Sequence, residues 1–166
     1  MRKLKAILRE RLEGADRIAV LAVGSKLRGD DAAGLLVAEE LTVTFRPRPG
    51  GPSLQVFLAH TAPENLTGEI KQFRPTHLII LDAADMGQKP GDVGIIEETA
   101  FTGNASFSTH SLPLRVMTDY LRRFLSLEII IVGLQPATRE FGQAPSDAVR
   151  NAAKRVAKVI AAVVNQ

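Results

Sequence analysis

Three stretches of the chain are almost continuously apolar and short enough to be strands. They cover residues 17–24, 77–84 and 128–135, and a fourth, less continuous stretch covers residues 53–60. Apolar runs of this length, without a regular polar alternation, are typical of strands that are covered on both faces in a parallel sheet. The pattern therefore predicts a buried and mostly parallel sheet.

Between and after these runs, apolar residues recur three or four positions apart, which is the spacing of one helix face. The predicted helices cover residues 31–43, 63–73, 112–125 and 146–164, and an amphipathic N-terminal helix lies within residues 1–15. Strands that alternate with helices of this length predict a three-layer α/β/α fold, with helices on both faces of the sheet. No repeat or linker divides the chain, so residues 1–166 are predicted to form a single domain.

One further apolar segment, residues 92–98, interrupts this alternation. The connection that joins it to the preceding run, DMGQKPG, is too short for a crossover between parallel strands. We therefore expect an antiparallel strand here, at an edge of a twisted sheet of about five strands.

Composition and charge exclude several classes of protein. The 166 residues contain no cysteine, which excludes disulfides, thiolate metal sites and cysteine nucleophiles and is typical of a reducing compartment. No window approaches the roughly 18 consecutive apolar residues of a membrane span, so we expect a cytoplasmic protein without a membrane span. The net charge of +3 combines both signs along the chain, with one Tyr and no Trp, which argues against nucleic acid as a partner. We expect a monomer or a weak dimer.

Candidate chemistry is concentrated just after the predicted strands. Ligands of open α/β sheets bind beyond the carboxyl ends of the strands, so polar residues at these positions are candidates. They are Asp30, Asp31, His60, Asp82, Asp85 and, just before a predicted helix, His110. The last of these stands in the stretch FSTHSLPL.

The acidic residues in this set have different expected roles. One member of the Asp30–Asp31 pair is expected to cap the following helix, because a carboxylate there accepts backbone N–H bonds and interacts favourably with the helix dipole. Asp82 ends a buried strand, where an unpaired carboxylate is costly, so it requires a cation or hydrogen-bond donors. Two carboxylates and the His110 imidazole at one sheet edge would form a three-ligand site for a divalent metal such as nickel or zinc.

Other catalytic arrangements are supported less well. The chain has neither the glycine pattern of a dinucleotide-binding turn nor a phosphate-binding P-loop. Ser108, His110 and Asp82 could be combined into a triad, but no G-x-S-x-G turn is present. A pair of carboxylates that share a proton, Asp31 and Asp82, is chemically possible.

Four sequence blocks, taken in order, resemble a known family. They are VGSKLRGDDAAG, RPTHLIILDAADMGQKPGDV, THSLPL and VGLQP, and they lie between residues 23 and 136. The blocks are similar to those of the C-terminal processing endopeptidases that mature the large subunit of nickel–iron hydrogenases. The branch that serves formate-hydrogenlyase-type hydrogenases is the most similar.

The resemblance implies both a reaction and a site. Members of this family remove a short C-terminal extension from the hydrogenase large-subunit precursor after nickel insertion, and they recognise the nickel that the precursor holds. The metal-contacting positions fall on Asp31, Asp82 and His110, which would also be the catalytic residues. We therefore expect nickel to be supplied by the substrate. Asp30 is then expected to cap the following helix or to orient Asp31.

One departure from the family pattern leaves alternatives open. The family has an Asp-Gly-Gly turn after the second strand, and this chain has Leu58, Ala59 and His60 there. His60 could face the same cleft as an additional ligand or proton carrier. Two other functions fit the same residues: a non-catalytic nickel-checkpoint or chaperone protein that binds the large subunit, and a metal-independent acid protease that uses Asp31 and Asp82.

Overall fold

A computed structural model describes residues 1–97 and 110–166. In this part of the chain, five strands form one sheet in the order β2-β1-β3-β5-β4. The strands are β1 Arg17–Val23, β2 Ser53–His60, β3 His77–Ala83, β4 Val93–Ile96 and β5 Glu128–Leu134. Strands β2, β1, β3 and β5 run parallel to one another, and β4 pairs antiparallel with β5 at the edge of the sheet. The predicted sheet, with its antiparallel edge strand, is confirmed, although β4 is shorter than the segment 92–98.

The five predicted helices are present, with small changes in their bounds. They are α1 Arg2–Arg11, α2 Ala33–Thr44, α3 Thr67–Phe73, α4 Ser111–Arg122 and α5 Asp147–Val164. Short 3₁₀ turns, Gly29–Ala32 and Pro63–Leu66, precede α2 and α3, so both helices begin later than the apolar spacing indicated. Across the described ranges, no helix has both the length and the apolar character that crossing a membrane requires.

The helices cover both faces of the sheet, and one large apolar core lies on each face. Strand β1 shows the division, because Ile18 and Val20 pack on the side of α1, α2 and α5, whereas Ala19 and Leu21 pack on the side of α3 and α4. Each fully buried Leu or Ile contributes about 2 kcal/mol of transfer free energy. The predicted three-layer α/β/α fold is confirmed.

This alternation also decides where the polar residue at the end of β3 points. Leu78 and Ile80 face α3 and α4, and successive side chains of a strand point to opposite faces. Asp82 therefore faces the same side as Ile80. Helix α4 lies on that side, and His110 is its N-cap residue. The fold thus brings the carboxyl end of β3 to the beginning of α4.

Candidate active site

Asp82 and His110 are in direct contact. Nδ1 of His110 lies 3.5 Å from Oδ1 of Asp82, and the two residues are only 6% and 1% exposed, respectively. The same Oδ1 accepts a hydrogen bond from the backbone N–H of Ala83 at 2.8 Å. A separation of 3.5 Å is long for a hydrogen bond, and the contact is an ion pair when His110 is protonated. Two of the three predicted site residues therefore meet at the end of β3.

Asp31 lies close enough to this pair for its charge to act on His110, and two glycines let its turn approach the sheet closely. A Cβ atom added at Gly24 would overlap the carbonyl oxygen of Asp31. A Cβ added at Gly34, in the first turn of α2, would overlap the carbonyl oxygen of Leu81 and lie 2.5 Å from that of Val23. Only glycine permits these approaches. They hold the buried Asp31 against the carboxyl ends of β1 and β3.

The three residues are coupled electrostatically. Burial lowers the pKa of His110, but the contact with Asp82 and the negative charges of Asp82 and Asp31 raise this pKa by more. The pKa of His110 is therefore above its ordinary value, despite an opposing effect of Arg139. Both carboxylates therefore act on the imidazole.

The donor chemistry of this site suits a divalent metal only in part. Asp82 and His110 bring an oxygen and a nitrogen donor together, a combination typical of nickel and zinc ligands. Within residues 1–97 and 110–166, however, no three His, Asp or Glu side chains are already arranged to hold a metal ion. A metal would therefore need further ligands, or a shift of Asp31.

Asp30 does not have the first of its two expected roles. Helix α2 has no side-chain cap, so the prediction that Asp30 caps it is wrong. Instead, Oδ2 of Asp30 accepts hydrogen bonds from the backbone N–H groups of Ala137 at 2.7 Å and Thr138 at 3.4 Å. It also accepts a hydrogen bond from the hydroxyl group of Ser146 at 2.9 Å. Oδ1 accepts from the N–H of Ser146 at 2.6 Å. Asp30 thus anchors the turn that carries Asp31 to the loop between β5 and α5.

Gln135 organises the loop that follows β3. Its Oε1 accepts hydrogen bonds from the backbone N–H groups of Met86 at 2.7 Å and Gln88 at 3.2 Å. Its Nε2 donates a hydrogen bond to Oδ1 of Asp85 at 3.2 Å. This contact and a hydrogen bond from the N–H of Gly87 lower the pKa of Asp85. Asp85 is exposed and belongs to this loop, not to the buried pair. The available signal for Gln135 was a polar residue at the end of the otherwise apolar run 128–135.

Arg139 is a site residue that no sequence pattern indicated. Its Nη2 donates to the carbonyl oxygen of Ala83 at 3.1 Å, and its positive charge lowers the pKa of His110. The residue comes from the loop between β5 and α5, which Asp30 holds against the site. Only the tertiary fold brings a cation to this position.

His60 adopts an unusual backbone conformation at the end of β2. Its φ angle is +50°, and its carbonyl oxygen accepts from the N–H of Gly24 at 2.8 Å. The position at which the resemblance leads us to expect glycine thus has a left-handed backbone with a non-glycine side chain. That side chain is exposed, and its role as a ligand or proton carrier stays a prediction. Ser108, the nucleophile of the alternative triad, lies outside the described residues.

A model of the hydrogenase maturation protease family (HycI) matches residues 35–163. The chain belongs to this family. The match includes Asp82 and His110 and begins four residues after Asp31. The resemblance predicted from the four sequence blocks is therefore confirmed, and hydrogenase maturation proteases are peptidases.

Individual family members are similar over most of their length. The hydrogenase 3 maturation protease of Escherichia coli K12 is 34% identical over 137 residues, which are 82% of this chain and 84% of that protein. The crystal structure of the NiFe hydrogenase maturation protease HycI from Thermococcus kodakarensis KOD1 superposes with a TM-score of 0.86 at 30% identity, covering 96% of this chain and 99% of the other. The solution structure of the E. coli endopeptidase HycI gives a TM-score of 0.71 at 30% identity, covering 86% and 87%.

Proposed function

We propose that this chain is an endopeptidase that removes the C-terminal extension of a nickel–iron hydrogenase large-subunit precursor after nickel insertion. The family supports the reaction class, since its members are hydrogenase maturation proteases. The observation that carries the assignment to a site is the buried contact between Asp82 and His110, with Asp31 beside it. Nickel is part of the substrate in this proposal, because the precursor holds it.

Recognition of nickel follows from the chemistry of the three side chains. The two carboxylates attract a divalent cation, and His110 supplies a nitrogen donor when it is neutral. A metal that is already bound by the precursor brings its own remaining ligands. A partial donor set on the protease is therefore sufficient, and it binds loaded precursor better than unloaded precursor.

Cleavage requires that water adds to the scissile carbonyl carbon, that the C–N bond breaks and that the leaving amine takes a proton. Nickel next to that carbonyl can polarise it, or can lower the pKa of a bound water towards neutrality, either of which is worth several kcal/mol. The residues of this chain hold the precursor's metal in place and handle protons. Before the precursor binds, His110 can hold a proton beside Asp82, because the two carboxylates raise its pKa, and it must release this proton to act as a metal ligand.

The test is cleavage of a purified precursor, with the shortened chain detected by mass spectrometry. We expect the wild-type chain to cut the nickel-loaded precursor and to leave the nickel-free precursor intact. Asp31→Asn, Asp82→Asn and His110→Gln should each leave the loaded precursor uncut. His77→Gln is the matched control, because His77 is also buried but lies at the opposite end of β3, and this variant should cut normally.

Two other results would favour the alternative functions. Cutting of nickel-free precursor that Asp31→Asn and Asp82→Asn both abolish would indicate an acid protease that needs no metal. A stable complex with loaded precursor, without a shortened product, would indicate a nickel checkpoint or chaperone.

A further inference from the structure

Arg139 is tied to the same short segment as the Asp82–His110 pair. Its Nη2 donates to the carbonyl oxygen of Ala83 at 3.1 Å, while the N–H of Ala83 donates to Oδ1 of Asp82 at 2.8 Å. The guanidinium group and the Asp82 carboxylate thus bind the two backbone polar groups of one residue. This arrangement fixes the position of the cation relative to Asp82.

The Nε donor of this guanidinium group makes no hydrogen bond to the residues that the structure describes. Nε of Arg139 is buried and has no hydrogen-bond partner in the described part of the chain. Buried donors without a partner are rare, because losing the hydrogen bond to water is costly. An acceptor that arrives with the substrate would satisfy this N–H group.

The charges around Arg139 indicate which kind of acceptor it takes. His110 and Asp85 both lie close enough for the Arg139 charge to affect their ionisation. With Asp82 one residue from Ala83, carboxylates already surround this position, so a ligand with a full negative charge would meet more repulsion than a carbonyl oxygen, which gains negative charge only as it reacts and does so against the guanidinium group. A neutral carbonyl oxygen meets no such repulsion, and Arg139 already binds one at Ala83.

We propose that Arg139 is a substrate-contacting residue whose Nε donates to a main-chain carbonyl oxygen of the precursor at the scissile bond. This proposal rests on the proposed endopeptidase function. When water bonds to the carbonyl carbon, negative charge develops on that oxygen before the C–N bond breaks and the amine takes a proton. A fixed guanidinium group stabilises this charge and keeps all its own protons.

The experiment compares Arg139→Ala and Arg139→Lys with the wild type on nickel-loaded precursor. Loss of an oxyanion donor should lower kcat about 100-fold with little change in KM. Arg139→Lys should stay low, because lysine keeps the charge but lacks Nε. Millimolar guanidinium ion should restore part of the activity of Arg139→Ala, whereas methylammonium should not.

Arg17→Ala is the matched control. Nε of Arg17 also donates a hydrogen bond to a main-chain carbonyl oxygen, that of Arg74 at 2.8 Å. Arg17 lies at the amino end of β1, away from the carboxyl ends of the strands where the candidate site lies. This variant should keep the wild-type kcat and should not respond to guanidinium.

Several results would overturn the proposal. Activity of Arg139→Ala within threefold of wild type would do so, and so would a loss that follows the melting temperature and is not restored by guanidinium. Such a result, with normal wild-type cutting, leaves the proposed endopeptidase function standing. A wild-type chain that fails to cut the loaded precursor overturns both.

Discussion

Asp30 and Ser146 are separated by 116 residues in the sequence and are joined by two hydrogen bonds in the fold. The Ser146 hydroxyl also accepts from the N–H of Val149 at 3.3 Å, as the N-cap of α5. This pair connects the turn that carries Asp31 to the loop that carries Arg139. One buried carboxylate therefore holds together two segments of the candidate active site.

Replacing Asp30 by Ala should destabilise the protein strongly. The change removes a fully buried carboxylate and leaves the partly buried backbone N–H groups of Ala137, Thr138 and Ser146 without their acceptor. We expect a loss of about 3 kcal/mol or more in the free energy of unfolding, measured by urea denaturation. Asp119→Ala is the control, since Asp119 is exposed and its contact with Arg115 should contribute less than about 1 kcal/mol. Equal losses in both variants would contradict this role of Asp30.

The contribution of His110 to stability should depend on pH. Its pKa is raised in the folded protein, so the stability from its protonated form is fully present below the unfolded pKa of about 6.5. That contribution is lost as pH rises through the folded pKa. The difference in unfolding free energy between wild type and His110→Gln should therefore shrink from pH 6 to pH 9 or so.

The contribution of His77 to the free energy of unfolding should depend on pH in the opposite direction. Burial lowers its pKa, and the negative charge of Glu128 opposes this only in part. Its contribution should be lost as pH falls below the unfolded pKa of about 6.5. Parallel pH profiles for His77→Gln and His110→Gln would show that the two environments do not differ as described.

Cleavage should fail on the acidic side when His110 becomes protonated. A protonated imidazole cannot ligate nickel, and the carboxylates of Asp82 and Asp31 extend the protonated form to higher pH. We expect kcat/KM to fall tenfold per pH unit below a midpoint that lies above the ordinary histidine pKa of about 6.5. Nickel content of the precursor is measured at each pH, to separate this effect from metal loss. A midpoint below that ordinary value would exclude His110 as the titrating ligand.

Gly34→Ala should destabilise the fold through a clash at the site. The added Cβ would overlap the carbonyl oxygen of Leu81 and lie 2.5 Å from that of Val23, so α2 would have to move away from β1 and β3. We expect a loss of about 3 kcal/mol or more, and weaker cleavage because Asp31 moves with α2. Gly68→Ala is the control, because a Cβ at this helical glycine of α3 meets no atom within 4 Å. That variant should be more stable by about 0.5–1 kcal/mol.

The backbone conformation at position 60 should accommodate glycine better than a β-branched residue. With φ at +50°, His60→Gly removes the strain of a left-handed non-glycine residue and should be at least as stable as wild type. His60→Val should lose about 1–2 kcal/mol, since a β-branched residue is poorly accommodated there. Thermal unfolding of the two variants tests this. If His60→Gly also abolishes cleavage at full stability, the imidazole itself takes part in the reaction.

Much of the fold could be predicted because it depends on local patterns. The continuous apolar run at residues 77–84 predicted a strand buried on both faces, and the short connection to Val93 predicted an antiparallel edge strand. Asp82 could be identified because a carboxylate at the end of such a strand is unusual. His110 could be identified because it stands in a block, THSLPL, that resembles a family motif just before a helix.

The partners of Asp30, Gln135 and Arg139 could not be predicted in this way. Asp30 has the residue type and position of a helix cap. Its carboxylate oxygens nevertheless accept hydrogen bonds from a loop that is more than 100 residues away in the sequence. Arg139 shows no periodicity or spacing that marks it as a site residue, and the position of Gln135 at the end of an apolar run did not reveal its partners.

The sequence by itself determined the strands, the helices and the acidic and imidazole candidates, because hydrophobic periodicity and residue type act over a few neighbouring positions. Only the tertiary structure decided which loops meet at the carboxyl edge of the sheet, and therefore which carboxylate contacts the imidazole of His110 and which one anchors a distant loop. The physical reason is that the strand order places β3 between β1 and β5. Close packing at Gly24 and Gly34 and the buried hydrogen bonds of Asp30 then select one arrangement of side chains that lie far apart along the chain.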